Sequence, residues 1–176
     1  MDTKKIEKSF LEIIQAIGEN PEREGLKDTP QHVAKFFSEM FSGINKDPAD
    51  EISSLPVEKS EGVVIVRDIP LYSFCEHHFL PFIGKVHIAY APKNNVIASF
   101  GSLYRAVEVL SKRPQIQERF TQELCTAIFK KINPSGVSVK VEAEHLCITM
   151  RKPNAKGSSV VTICSEGEFR DRYNIL

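Results

Sequence analysis

The stretch GVSVKVEAEH, residues 136–145, constrains this chain more than any other. Val137, Val139 and Val141 alternate with Ser138, Lys140 and Glu142, a period of two that suits a half-buried β-strand and no helix. SSVVTICSE at 158–166 is its expected hairpin partner, and GVVIVRDIP (62–70) and KVHIAYAP (85–92) are two earlier strand candidates. Helical stretches are expected at about 102–112 and 115–132, with Pro114 between them to open the second or break the first. The chain also begins with helices. Ile6, Phe10, Ile13, Ile14 and Ile17 share one face until Gly18, and Asp28-Thr29-Pro30 opens a helix carrying Val33, Phe36, Phe37 and Met40. Residues 43–60, rich in Pro, Asp and Ser, read as a loop. Helices, strands, two helices and strands in that order predict an α+β fold, an antiparallel sheet covered by helices.

Composition narrows the partners. Lys plus Arg and Asp plus Glu both number 23, so the formal net charge is zero. A nucleic-acid coat or a polybasic membrane binder would carry an excess of cations. The N-terminus MDTKKIEKSFLEIIQAIG carries both charge signs and lacks the apolar core of a signal peptide; no later stretch approaches a membrane span. A cytoplasmic location is the expectation, and there the four cysteines would bind metal or be buried rather than pair.

Two constellations carry chemistry. The first begins in SFCEHHFLPF, residues 73–82, where Cys75, Glu76, His77 and His78 stand in a row against an aromatic setting. EHLC at 144–147 adds His145 and Cys147, which would face one side if the strand ran through both. Cys75, His78 and Cys147 are three soft or borderline ligands, a set that suits zinc and leaves a fourth position open for water. The plainer alternative is that the cysteines are small buried hydrophobes. His77 and His145 adjoin proposed ligands and are candidates for proton transfer or for structural support, whereas His87 reads as structural. The second constellation is KRPQIQERFT, residues 112–121. Glu118 there suits the N–H edge of a guanine-like ring, with the Gln117 amide beside it for a carbonyl; a solvated first helical turn is the alternative. Arg105, Lys112, Arg113 and Arg151 are scattered cations, suited to phosphates or to solvation.

Blocks along nearly the whole chain resemble the GTP cyclohydrolase I family. They are ENPEREGLKDTPQHVAKFFSEMFSG, VRDIPLYSFCEHHFLPFIGKVHIAYAPK, RPQIQERFT and GVSVKVEAEHLCITMR. The resemblance implies a T-fold catalytic core over 61–176, preceded by a helical segment and loop over 1–60, together one functional domain. It implies zinc on Cys75, His78 and Cys147, and proton transfer by His77 and His145. Gln117 and Glu118 would bind the substrate, with Glu118 anchoring the guanine ring and Arg105 and Arg151 available to phosphates. It further implies toroidal homo-oligomers, commonly decamers, with active sites between subunits. The implied reaction is hydrolysis of GTP at C8, release of formate, and closure to 7,8-dihydroneopterin triphosphate. One segment departs from the family pattern. VIASFGSLYR (96–105) is one residue longer than V-I-G-L-S-K-x-x-R and keeps Arg105, but it has no lysine. Lys152 stands where the family has glycine. A paralogue acting on another guanine nucleotide or modified purine, and a non-catalytic T-fold subunit, are the alternative expectations.

Overall fold

The structure, a computed structural model, describes residues 1–170, 172 and 175–176. Two compact units divide the chain, Met1–Ser42 and Gly43–Leu176. In the first, α1 (Thr3–Ala16) and α2 (Thr29–Met40) pack on each other. Asp2 caps α1 by accepting from the Lys5 N–H at 3.0 Å. At α2 the Asp28 side chain makes no capping bond, and Pro30 in the first turn sets the start. Ile14 and Ala34 are buried, but Ile13 and Ile17 are exposed, so the apolar face read from the sequence is only partly covered.

The second unit begins with the stretch expected to be a loop. Residues 43–60 contain α3 (Pro48–Glu51) and β1 (Ser54–Pro56). They belong to this unit because Ile52 enters its core and the Gly43 N–H donates to the Lys112 carbonyl at 2.8 Å. A Cβ at residue 43 would collide with the Val109 carbonyl, which is why glycine stands there. The remaining elements are β2 (Val64–Cys75), β3 (Pro81–Ala91), β4 (Val96–Ala98), α4 (Phe100–Ser111), β5 (Pro114–Gln115), α5 (Gln117–Ile132), β6 (Gly136–His145), α6 (Leu146–Thr149), a 3-10 turn at Pro153–Ala155, and β7 (Val160–Gly167).

β1 pairs with β4, and the main sheet runs β5-β2-β3-β6-β7. Its pairs are antiparallel except at the edge, where β5 joins β2 in parallel through Phe74–Pro114 and Cys75–Gln115. Pro114 therefore neither starts nor breaks a helix. It opens a two-residue strand between α4 and α5. Leu103, Ala106 and Leu110 of α4 and Phe120, Leu124 and Ile128 of α5 form one core with Leu71, Val86, Ile88, Val139 and Val141 of the sheet. Each of the larger of these side chains contributes about 1.5–3 kcal/mol through burial. His87 Nδ1 accepts from the Asp68 N–H at 3.3 Å where β2 bulges. Among the described residues no helix is long and apolar enough to cross a membrane.

Candidate metal centre and active site

Topology collects the candidate residues at one end of the sheet. β2 and β6 both run antiparallel to β3, so their C-terminal ends lie on the same side. Cys75 ends β2, His145 ends β6, and β5, parallel to β2, delivers the start of α5 there too. The CEHH corner is a tight connection closed by two backbone bonds, Phe79 N–H to Cys75 carbonyl and Cys75 N–H to Leu80 carbonyl, both 2.9 Å. Phe79 takes the left-handed conformation this turn needs, with φ 52°. Cys147 arrives differently from the expectation. The strand stops at His145, and Cys147 sits in the single turn of α6, so the same-side argument for a strand does not apply. The helical turn brings it to Cys75 all the same.

The sulfurs of Cys75 and Cys147 and a ring nitrogen of His78 lie within 4.8 Å of one another. Cys75 Sγ is 3.9 Å from His78 Nδ1. Zinc bonds of ~2.3 Å to sulfur and ~2.0–2.1 Å to nitrogen put tetrahedral ligand atoms roughly 3.6–3.8 Å apart. The donor set and its spacing therefore fit zinc with small side-chain adjustments. Cys75 is buried, Cys147 half-buried and His78 exposed, so the cluster opens outward on the histidine side. Burial, then the neighbouring Cys75, push the Cys147 thiol up, while Arg151 acts in the opposite direction. A divalent cation would relieve that crowding of two sulfurs. His77 is exposed beside the cluster, its Nδ1 3.7 Å from Cys75 Sγ.

His145 is held on two sides. Its ring stacks on Phe82, its register partner across β3, with centroids 5.1 Å apart and planes 12° from parallel. Its Nε2 lies 2.8 Å from Gln117 Oε1. The Gln117 amide nitrogen donates to the carbonyls of Val160 at 2.9 Å and Val141 at 3.1 Å, so its oxygen must be the end facing His145. His145 Nε2 is then the donor, and the neutral ring keeps its lone pair on Nδ1. Burial lowers the His145 pKa, and the Glu118 carboxylate opposes that shift.

The remaining candidates divide. Glu118 is exposed near His145 at the start of α5. Gln117, expected to meet a ligand, is instead 1% exposed with its amide engaged on both sides, so it orients His145. The reason is its place on the inward stripe of α5, facing β7. Arg151 is exposed near Cys147. Arg105 lies on α4 in an ion pair with Glu51 at 3.3 Å and bonds to none of the other candidates.

Sequence reasoning missed a clamp. Arg119 donates to Glu76 at 2.6 Å, to Gln115 Oε1 at 2.9 Å and to the Pro114 carbonyl at 3.1 Å, tying the CEHH corner to α5. The opposite charges of Glu76 and Arg119 were the available signal. Thr121 and Thr162 were missed as well. Thr121 donates to the Gln117 carbonyl at 2.8 Å, so in its 2.6 Å contact with Thr162 the latter must donate.

A sheet with two helices on one face and a cysteine–histidine cluster at its strand ends defines a T-fold subunit with a candidate metal centre. The archaeosine synthase QueF-Like in its apo form shares this fold. It has a TM-score of 0.52 and 18% identity, over 62% of this chain and 97% of that one. The sequence profile described as GTP cyclohydrolase I matches residues 6–175. A GTP cyclohydrolase 1 of Streptococcus agalactiae serotype Ia is 50% identical over 96% of this chain and 91% of its own length. One from Pelotomaculum thermopropionicum is 50% identical over 96% and 90%. The chain belongs to the GTP cyclohydrolase I family.

Proposed function

We propose that this protein is a GTP cyclohydrolase, hydrolysing GTP to 7,8-dihydroneopterin triphosphate with release of formate. What carries the proposal is a cluster of Cys75, His78 and Cys147 beside an oriented His145, in a chain half identical to relatives bearing that name. Cys75, His78 and Cys147 would hold zinc, which when bound makes water acidic enough to add to the purine C8 near neutral pH. His145, held by Gln117 and Phe82 with its lone pair on Nδ1, takes and returns protons as the imidazole ring of the substrate opens. His77, exposed beside Cys75, is the second proton carrier. Glu118 accepts from the N–H edge of the guanine, and Arg151 meets negative charge near the metal.

The protein acts as a soluble homo-oligomer in the cytoplasm. Support for assembly comes from apolar side chains left exposed on the single chain, including Tyr72, Ile148, Met150 and Val161. Arg105, paired with Glu51 on its own chain, would then serve a neighbouring subunit's site. A second reading is favoured by residues 96–105, which lack a lysine: a paralogue that accepts purines with fewer phosphates. Incubating zinc-loaded protein with GTP and assaying formate and pterin fluorescence tests the proposal. Formate and a fluorescent pterin in equal amounts are expected. Absence of both from GTP, with ring opening of another guanine compound, would replace it with the second reading.

A further inference from the structure

Away from the metal centre, α5 and β7 meet along a polar seam. On α5, Gln117, Thr121 and Cys125 recur every four residues and face one way; on β7, Thr162, Cys164 and Glu166 alternate and face back. The pairs run Gln117–Thr162, Thr121–Thr162 and then Cys125 with Cys164. The two sulfurs and a Glu166 carboxylate oxygen lie within 4.8 Å of one another. The Cys125 thiol donates to the Cys164 carbonyl at 3.3 Å, and Glu166 accepts from the Thr126 hydroxyl at 2.6 Å.

We propose that Cys125 and Cys164 form an oxidisable thiol pair that a peroxide closes to a disulfide, stapling α5 to β7. Access assigns the order of events. Cys125 is fully buried, whereas Cys164 is only partly buried on the edge strand, so the oxidant meets Cys164 first. Electrostatics point the same way. The Cys125 side chain beside it lowers the Cys164 pKa, against burial and the Glu166 carboxylate, and the Cys164 side chain together with burial raises that of Cys125. Cys164 is therefore the thiolate that attacks. Its sulfur bonds to one peroxide oxygen, the O–O bond breaks, and hydroxide leaves to be protonated as water. The Cys125 sulfur then attacks the resulting sulfenic acid, the S–O bond breaks, and the Cys125 proton leaves with that oxygen as a second water. Two thiols and one peroxide thus give one disulfide and two waters.

The same three groups would also suit a cation, but burial decides against it. Two thiolates and a carboxylate gathered round a metal keep a net charge beside a fully buried Cys125, whereas a disulfide is neutral. This thiol chemistry is independent of the proposed reaction at the strand ends.

The test treats zinc-loaded full-length protein with increasing hydrogen peroxide, blocks free thiols by alkylation, and maps peptides without reduction. Expected is a peptide pair joined through Cys125 and Cys164, lighter by two hydrogens and separated by dithiothreitol. In Cys125→Ser, Cys164 should instead accumulate as a sulfenic acid trapped by a carbon-acid probe. The proposal is overturned if Cys164 passes to sulfinic acid while Cys125 stays a free thiol. It is equally overturned if both remain reduced while other cysteines oxidise, or if Cys164 links elsewhere. The wild-type map decides even should the serine variant fail to fold.

Discussion

Two cysteine pairs share this T-fold, and their difference shows what makes a centre. Cys75 and Cys147 are joined by His78, Cys125 and Cys164 by Glu166, and in each trio the ligand atoms lie within 4.8 Å of one another. The first lies at the ends of β2 and β6, where the chain turns and the imidazoles of His77 and His78 are exposed. The second lies midway along the α5–β7 seam, with one sulfur sealed in the core. Composition alone does not separate them. Position does, because the strand ends set exposed imidazoles beside the sulfurs, and the seam sets only a carboxylate there.

Cutting at each pair breaks the comparison most severely. Cys147→Ala removes a thiolate from the first cluster and should abolish bound zinc and formate release together. Cys164→Ala should leave both near the wild-type level. Metal analysis beside turnover decides, and a Cys147 variant with full zinc and full activity would show that the clusters have been assigned the wrong way round.

Chemistry and metal binding separate next. His145→Ala and His77→Ala should retain zinc and lose ~10²–10⁴ in turnover, the usual worth of general acid–base help. Loss of zinc from either variant would make that histidine a ligand instead.

These contrasts were unevenly legible in the sequence. Alternating valines marked β6, and the spacing of CEHH and EHLC marked the first cluster, because strand period and ligand chemistry are local signals. β5, only two residues long, is too short to show any period, and β1 and α3 were hidden in a Pro-rich stretch. Gln117 beside Glu118 and Arg119 read as facing a ligand or solvent, since nothing local says which polar residue of a first turn points inward. Cys125 and Cys164 stand 39 residues apart, and only the docking of α5 on β7 makes them neighbours.

The phosphate end of the substrate gives a smaller effect. Residues 96–105 form β4 and the start of α4 without a lysine. One charge-assisted contact is worth roughly 1.5–3 kcal/mol, about tenfold to more than a hundredfold in binding. Catalytic efficiency should therefore decline only shallowly from GTP through GDP and GMP to guanosine. A steep decline would mean that another cation, such as Lys152 or a neighbouring subunit's residue, replaces the missing one.

The smallest effect probes the seam that links the two regions. Thr162 accepts from Gln117 Nε2 at 3.2 Å and donates to Thr121, while the two carbonyls of Val141 and Val160 also receive the amide. Thr162→Val removes one acceptor for Gln117 and one donor to Thr121, and leaves the carbonyls in place. A net hydrogen bond is worth about 0.5–1.5 kcal/mol, or roughly twofold to tenfold. If the seam holds Gln117 in the orientation that fixes His145, the loss should fall on kcat with KM unchanged. Thr162→Ser, which restores the hydroxyl, should recover it. If instead Thr162→Val lowers the melting temperature while each folded molecule turns over at the wild-type rate, the seam is packing alone, and His145 is oriented by Phe82 and the carbonyl-anchored amide without it.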